Sequence, residues 1–234
     1  MTDSQLLLLP GLAADRRLLA PQRAAAPDLA VPDWLPPRPE EGLPAYAKRC
    51  AEAWVFGDGT AASPDRPFRL GGVSFGGMVA LEIGRALLDA GAPPAGVFLI
   101  ASCRSRDAVT GGFRLRASAG SLLPAGAVRA VLGGFGARRF ARREGLTGDW
   151  PATLAAMGRD TNVPALFRFA RMAAAWDLSA GEAARPGFPV YQIHGERDPV
   201  IPCRPQDCDV VLPGAGHLIN VTHADAVNRF LQTA

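Results

Sequence analysis

The chain has 234 residues, 48% of them hydrophobic, and a formal net charge of only +3. That length and composition can bury one good core, so a single domain over residues 1–234 is expected. The small charge, with no face or run concentrating the arginines beyond Arg138-Arg139 and Arg142-Arg143, excludes a nucleic-acid partner; Lys48 is the only lysine.

Met1-Thr2-Asp3-Ser4 lacks a basic leader, and Leu6 to Leu9 is far too short for a signal core or a membrane span, so a cytoplasmic location is expected. Gln5 to Leu9 reads as a buried strand stopped by the turn Pro10-Gly11. Leu12 to Ala26 is helix-compatible. Leu29 to Val31 makes a short strand, followed by a proline-rich link from Pro32 to Pro44. A helix from about Ala45 to Phe56 carries Tyr46, Cys50, Ala53 and Trp54 at helical spacing, and 57–67 reads as a loop.

Phe68 and Leu70 lead into Gly71-Gly72-Val73-Ser74-Phe75-Gly76-Gly77, after which a largely apolar helix runs from Phe75 to about Ala90. Val97 to Ile100 is the next buried strand, and Val190 to His194 and Val210 to Leu212 are two more. A last helix spans about Ala224 to Leu231. Short apolar strands alternating with helices predict an α/β fold with a mostly parallel sheet covered on both faces. The interval from about Ser102 to Gly187 breaks this rhythm. It has no convincing strand and several helical patches (122–132, 152–157, 165–176), which reads as a helical cap, 102–187, inserted over the carboxyl edge of the sheet. An enlarged crossover helix with loops is the alternative.

Gly72-Val73-Ser74-Phe75-Gly76 has the Gly-x-Ser-x-Gly spacing of a strand-to-helix turn that lifts a serine hydroxyl clear of a sheet edge. A serine nucleophile needs a base, and the base needs an orienting acid. Of three histidines, His217 follows a strand on the glycine-rich loop Pro213-Gly214-Ala215-Gly216 and is the candidate base. His223 sits at a helix start, where a solvated or capping role is natural. His194 ends a strand and reads as a packed, hydrogen-bonded residue. Asp198, just past that strand, is the candidate acid, with Glu196 as second choice. The order Ser74, Asp198, His217 is the one that α/β-hydrolases use. Backbone N–H groups of Phe75 and Leu12 are the candidate oxyanion donors. Cys50, Cys103, Cys203 and Cys208 show no metal spacing and read as free thiols, although Cys203 and Cys208 are close in sequence.

With these residues in place, the chain resembles the α/β-hydrolase superfamily, in particular its serine esterase and thioesterase members. The resemblance rests on Gly72 to Glu82 for the elbow and its helix, on His194 to Pro202 for the acid loop and on Gly214 to His217 for the histidine loop. It implies the α/β-hydrolase fold and a serine hydrolase acting on a small-molecule carboxylic ester or thioester, with no metal or organic cofactor. Carbon–carbon bond hydrolysis or perhydrolysis would use the same triad, and a non-catalytic ligand-binding member is a further alternative. Pro10-Gly11 replaces the usual His-Gly after the first conserved strand. The two antiparallel strands that often open the family are not evident, which implies a sheet trimmed to about six strands. The serine nucleophile disfavours the reactions of haloalkane dehalogenases and epoxide hydrolases. Acyl-chain length, leaving group and oligomeric state are not legible.

Overall fold

The computed structural model describes residues 5–56, 68–120 and 123–233; the loop expected at 57–67 lies outside them. Among the described residues one sheet forms from five strands in sequence order, all parallel: β1 (Gln5–Leu9), β2 (Phe68–Val73), β3 (Gly96–Ile100), β4 (Val190–Gly195) and β5 (Val210–Leu212). Between β1 and β2 lie α1 (Ala20–Ala25) and α2 (Leu43–Trp54), and α3 (Phe75–Asp89) follows β2 directly. Between β3 and β4 the described residues form α4 (Gly111–Gly120), α5 (Ala125–Leu132), α6 (Phe135–Arg143), α7 (Trp150–Asp160), α8 (Val163–Ala175) and α9 (Ala180–Ala183). α10 (Ile219–Thr222) and α11 (Ala224–Phe230) close the described chain.

Alternation along the strands divides the core in two. Leu7 and Leu9 of β1, Leu70 of β2, and Val97 and Leu99 of β3 face a cluster with Tyr46 of α2, Ile83 of α3 and Phe169 of α8. Leu6, Leu8, Phe98 and Ile100 face the other way, onto Leu18, Leu19, Val227 and Phe230. Both faces are therefore dry, as a parallel sheet requires. Each fully buried leucine contributes about 1.5–3 kcal/mol of transfer free energy.

The expected strand at Leu29–Val31 is reduced to one bridge, Ala30 to Leu7. The Ala30 N–H donates to the Leu6 carbonyl and the Leu8 N–H donates to the Ala30 carbonyl. The next rung would need an N–H from residue 32, and Pro32 has none. The sixth strand of the expected sheet thus survives only as this bridge. The helix expected over Leu12 to Ala26 also starts late. Ala13 sits in the left-handed region (φ 55°), and the Asp15 carboxylate caps the Arg17 N–H at 2.9 Å, so a 3₁₀ turn begins only at Arg16 and passes into α1. α4, α6 and α9 have no counterpart among the expected helical patches. α6 (FGARRFARR) carries four arginines on one side and buries Ala137 and Ala141, with Phe140 partly buried, on the other.

The turn between β2 and α3 is crowded at the backbone. A Cβ on Gly72 would stand 2.1 Å from the carbonyl carbon of Gly76, and one on Gly76 would stand 2.3 Å from the Pro10 carbonyl oxygen. No side chain fits at either position. Gly76→Ala is expected to cost at least about 2 kcal/mol through forced backbone separation. In a thermal melt this reads as a fall in Tm of roughly 4–8 °C, and an unchanged Tm would show that β1 and α3 can part here.

Candidate functional site

Ser74 stands between β2 and α3 with φ 56° and ψ −121°, a conformation a non-glycine residue rarely holds. Three main-chain bonds fix it. Its N–H donates to the Ile100 carbonyl at 2.9 Å, and its carbonyl accepts the Gly77 N–H at 3.0 Å and the Ser102 hydroxyl at 2.6 Å. Ser102 is fully buried. Gly11 of the β1 loop lies against Ser74, where a Cβ would reach the Ser74 Cβ at 3.4 Å.

Two loops at the carboxyl ends of β4 and β5 bring Asp198 and His217 together. They are tied to each other through the Glu196 N–H on the Leu212 carbonyl and the Arg197 N–H on the Ala215 carbonyl. His217 Nδ1 lies 2.6 Å from Asp198 Oδ2, with both side chains buried. Oδ2 of the same carboxylate also lies 3.1 Å from His194 Nε2, and Oδ1 accepts the Val200 and Ile201 N–H groups at 2.7 and 3.0 Å. Burial alone would raise the Asp198 carboxyl. Hydrogen bonds from His194, His217 and Val200, with the charge His217 can carry, outweigh it and hold the group well below the usual carboxylate range. In the neutral imidazole, an ionised Asp198 selects the Nδ1–H tautomer of His217, which makes Nε2 the acceptor.

The other sequence candidates are placed elsewhere. Glu196 is exposed and accepts the Gly214 N–H at 2.7 Å. His223 is exposed beside the Thr222 hydroxyl and makes no side-chain cap to α11. His194 is packed and hydrogen-bonded as expected, at 1% exposure, with Nε2 also 2.9 Å from the Ile201 carbonyl. Its contact with Asp198 was not legible from spacing alone. Also missed was Glu144, at the end of α6, whose carboxylate accepts the His217 N–H at 2.5 Å and the Leu218 N–H at 2.9 Å. A lone acid after Arg142-Arg143 carries no sequence signal for such a role.

Ser74, Phe75, Leu12 and His217 line one cavity of about 280 Å³. Its other walls come from the helical insertion (Val109, Phe113, Leu132, Phe140, Leu154) and from Met78, Val200 and Ile201. Among the described residues no Asp, Glu, Lys or Arg lines it. A second cleft of about 340 Å³ shares Gly11 to Ala14 and Phe75 with the first and carries Asp160, Asn162 and Arg168. The insertion therefore roofs the carboxyl edge of the sheet. The buried Glu82 on α3 anchors it from behind, accepting the Trp176 indole N–H at 2.7 Å; burial pushes that carboxyl up. Burial likewise pushes the Cys50 and Cys103 thiols up to about 12. Among the described residues no group of three or more His, Cys, Asp or Glu side chains is placed to hold a metal ion, and no helix is long and apolar enough to cross a membrane.

The model of the α/β-hydrolase family matches residues 6–230, and the chain belongs to that family. Solved structures agree on the fold. An esterase from Thermogutta terrifontis, solved with malate bound, is 20% identical over 99% of this chain and 89% of its own, with a TM-score of 0.73. A hydrolase from Pseudomonas aeruginosa PA01 is 18% identical over 100% and 90%, with a TM-score of 0.73. RedJ, a thioesterase of the prodiginine pathway in Streptomyces coelicolor, is 21% identical over 99% and 90%, with a TM-score of 0.65. No curated protein sequence matches the chain.

The depressed Asp198 carboxyl has a consequence for stability. A carboxyl held below its unfolded value stabilises the fold above that value, about 3.9, and the contribution is lost as pH falls through the folded one. Between about pH 4 and pH 2.5 the wild-type Tm is therefore expected to fall more steeply than that of Asp198→Asn, which has no proton to take up. Parallel melting curves over that range would contradict the assignment.

Proposed function

We propose that this protein is a serine hydrolase that cleaves a carboxylic ester or thioester with an apolar acyl group through an acyl-enzyme intermediate. The observation that carries the reading is the meeting, in one apolar cavity, of a serine on a strained elbow with a buried histidine whose Nδ1 faces an ionised carboxylate. Ser74 Oγ attacks the acyl carbon while His217 Nε2 takes its proton. Asp198 holds the imidazole orientation and stabilises the imidazolium. The oxyanion is held by the N–H groups of Phe75 and Leu12, in a site with little competing water. His217 then protonates the leaving alcohol or thiol and activates a water that releases the acid. The acyl group occupies the uncharged cavity, and the adjoining cleft beyond Leu12 and Phe75 takes the leaving group. Four free cysteines suit a reducing compartment such as the cytoplasm.

Fluorophosphonate labelling with peptide mass spectrometry, run beside hydrolysis of p-nitrophenyl and acyl-thioester series, tests this. Label is expected on Ser74, with turnover lost in Ser74→Ala and His217→Ala and reduced by about 10⁴ in Asp198→Asn. Neutral acyl groups are expected to be preferred on the order of tenfold or more in kcat/KM over a hemisuccinate of similar length, because the cavity offers no partner for its charge. Folded protein that neither labels nor turns over would sink the reading.

A further inference from the structure

The end of α6 makes a connection that the triad chemistry does not account for. Glu144 stands at its C-terminus, where its N–H donates to the Phe140 carbonyl at 2.9 Å, and Gly145 turns the chain away at φ +69°. Its side chain reaches out of the helical insertion and down to the loop after β5. There one carboxylate oxygen accepts two consecutive N–H groups, those of His217 and Leu218. Glu144 is only 8% exposed. Among the described residues its carboxylate forms no ion pair. The two N–H donors are therefore what offsets its burial, and breaking them would leave three buried polar groups unmatched.

The glycine beside His217 supports the same contact independently. A Cβ on Gly216 would stand 2.5 Å from Glu144 Oε2 and 3.0 Å from its Cδ. The histidine loop thus leaves the carboxylate its space. The other end of the connection is the substrate cavity, because Gly136, Ala137 and Phe140 of α6 line it. One helix thus both walls the cavity and ends on the main chain of His217.

We infer that Glu144 is a positioning residue: through its two hydrogen bonds the insertion sets the backbone of His217, and so the placement of its imidazole against Ser74. The inference rests on the serine-hydrolase reading for its catalytic consequence, but the contact itself does not. Asp198 fixes the imidazole from the side-chain end, and Glu144 fixes it from the main-chain end. A base held at one end only samples geometries out of line with the serine hydroxyl, and a displacement of about 1 Å can cost on the order of 100-fold in rate.

The test compares Glu144→Ala, Glu144→Gln and Glu144→Asp with wild type, reading kcat and KM on the best ester and the His217 and Leu218 amide protons by NMR. Glu144→Ala is expected to lose about 10- to 100-fold in kcat with KM within about twofold, because an interaction that orients the base acts on the transition state more than on binding. Glu144→Gln keeps an acceptor oxygen at the same reach and is expected to stay within about threefold of wild type. Glu144→Asp is one methylene short and is expected to lose kcat despite its charge, which carries the test if the alanine variant does not fold. Both amide protons are expected to move upfield in the alanine and aspartate variants. Unchanged kcat in Glu144→Ala or Glu144→Asp overturns the inference. So does a loss in Glu144→Gln as deep as in alanine, since charge rather than placement would then be at work. If wild type shows no turnover that Ser74→Ala abolishes, the serine-hydrolase reading fails by itself. The amide shifts then decide whether Glu144 holds the loop, and unchanged shifts overturn that too.

Discussion

The close approach of three backbones, at the end of β1, the end of β2 and the first turn of α3, is the constraint on which the rest of this structure depends. Gly72 and Gly76 allow that approach because neither has a Cβ to put into the gap. The cost is concentrated at Ser74, whose positive φ is held by bonds to Ile100, Gly77 and Ser102. A strained non-glycine residue of this kind costs about 1–3 kcal/mol and persists only where its surroundings over-determine it. Here they do, and the result is a serine held at the carboxyl edge of the sheet, beside the loop that carries Leu12.

The second layer of organisation is electrostatic. Asp198 is buried, and a buried carboxylate survives as a charge only if enough donors surround it. Four converge on it: two histidine nitrogens and two main-chain N–H groups. Only His194 contributes a side chain to this set; the N–H groups of Val200 and Ile201 could come from any residue but proline. His217 is thereby held in one orientation and one tautomer. Glu144 repeats the device from the opposite side, with a buried carboxylate compensated by main-chain donors of the histidine loop. The two acids act on different parts of one residue, one from the loop after β4 and one from the insertion.

That arrangement gives the insertion more than a roofing role. It is tied to the sheet layer at Glu82–Trp176, at Arg17–Asp160 and at Glu144–His217. The exposed Arg17–Asp160 pair contributes little to stability. Glu144 is different, because its buried carboxylate loses both of its compensating N–H donors if the insertion moves. Displacement of the insertion and disorder of the site are therefore coupled through desolvation.

The sequence by itself determined the parts governed by local rules. The elbow was legible because Gly72, Ser74 and Gly76 have one geometric reason to stand at that spacing, and the strands because short apolar runs ended in Gly or Pro. Asp198 and His217 could be chosen because each follows a strand end. Local rules stopped where partners are distant in the chain. Pro32 cut the sixth strand to a single bridge by withholding one N–H, a loss visible only once Ala30 is aligned with Leu7. α6 is amphipathic by its local pattern, with Ala137, Phe140 and Ala141 opposite four arginines, but only the fold shows what its end touches. Glu144 lies 73 residues from His217, and His194 was read as merely packed. What binds those side chains to the site is the burial and geometry of the folded chain, and no periodicity or spacing encodes contacts that only the packing of the insertion on the sheet creates.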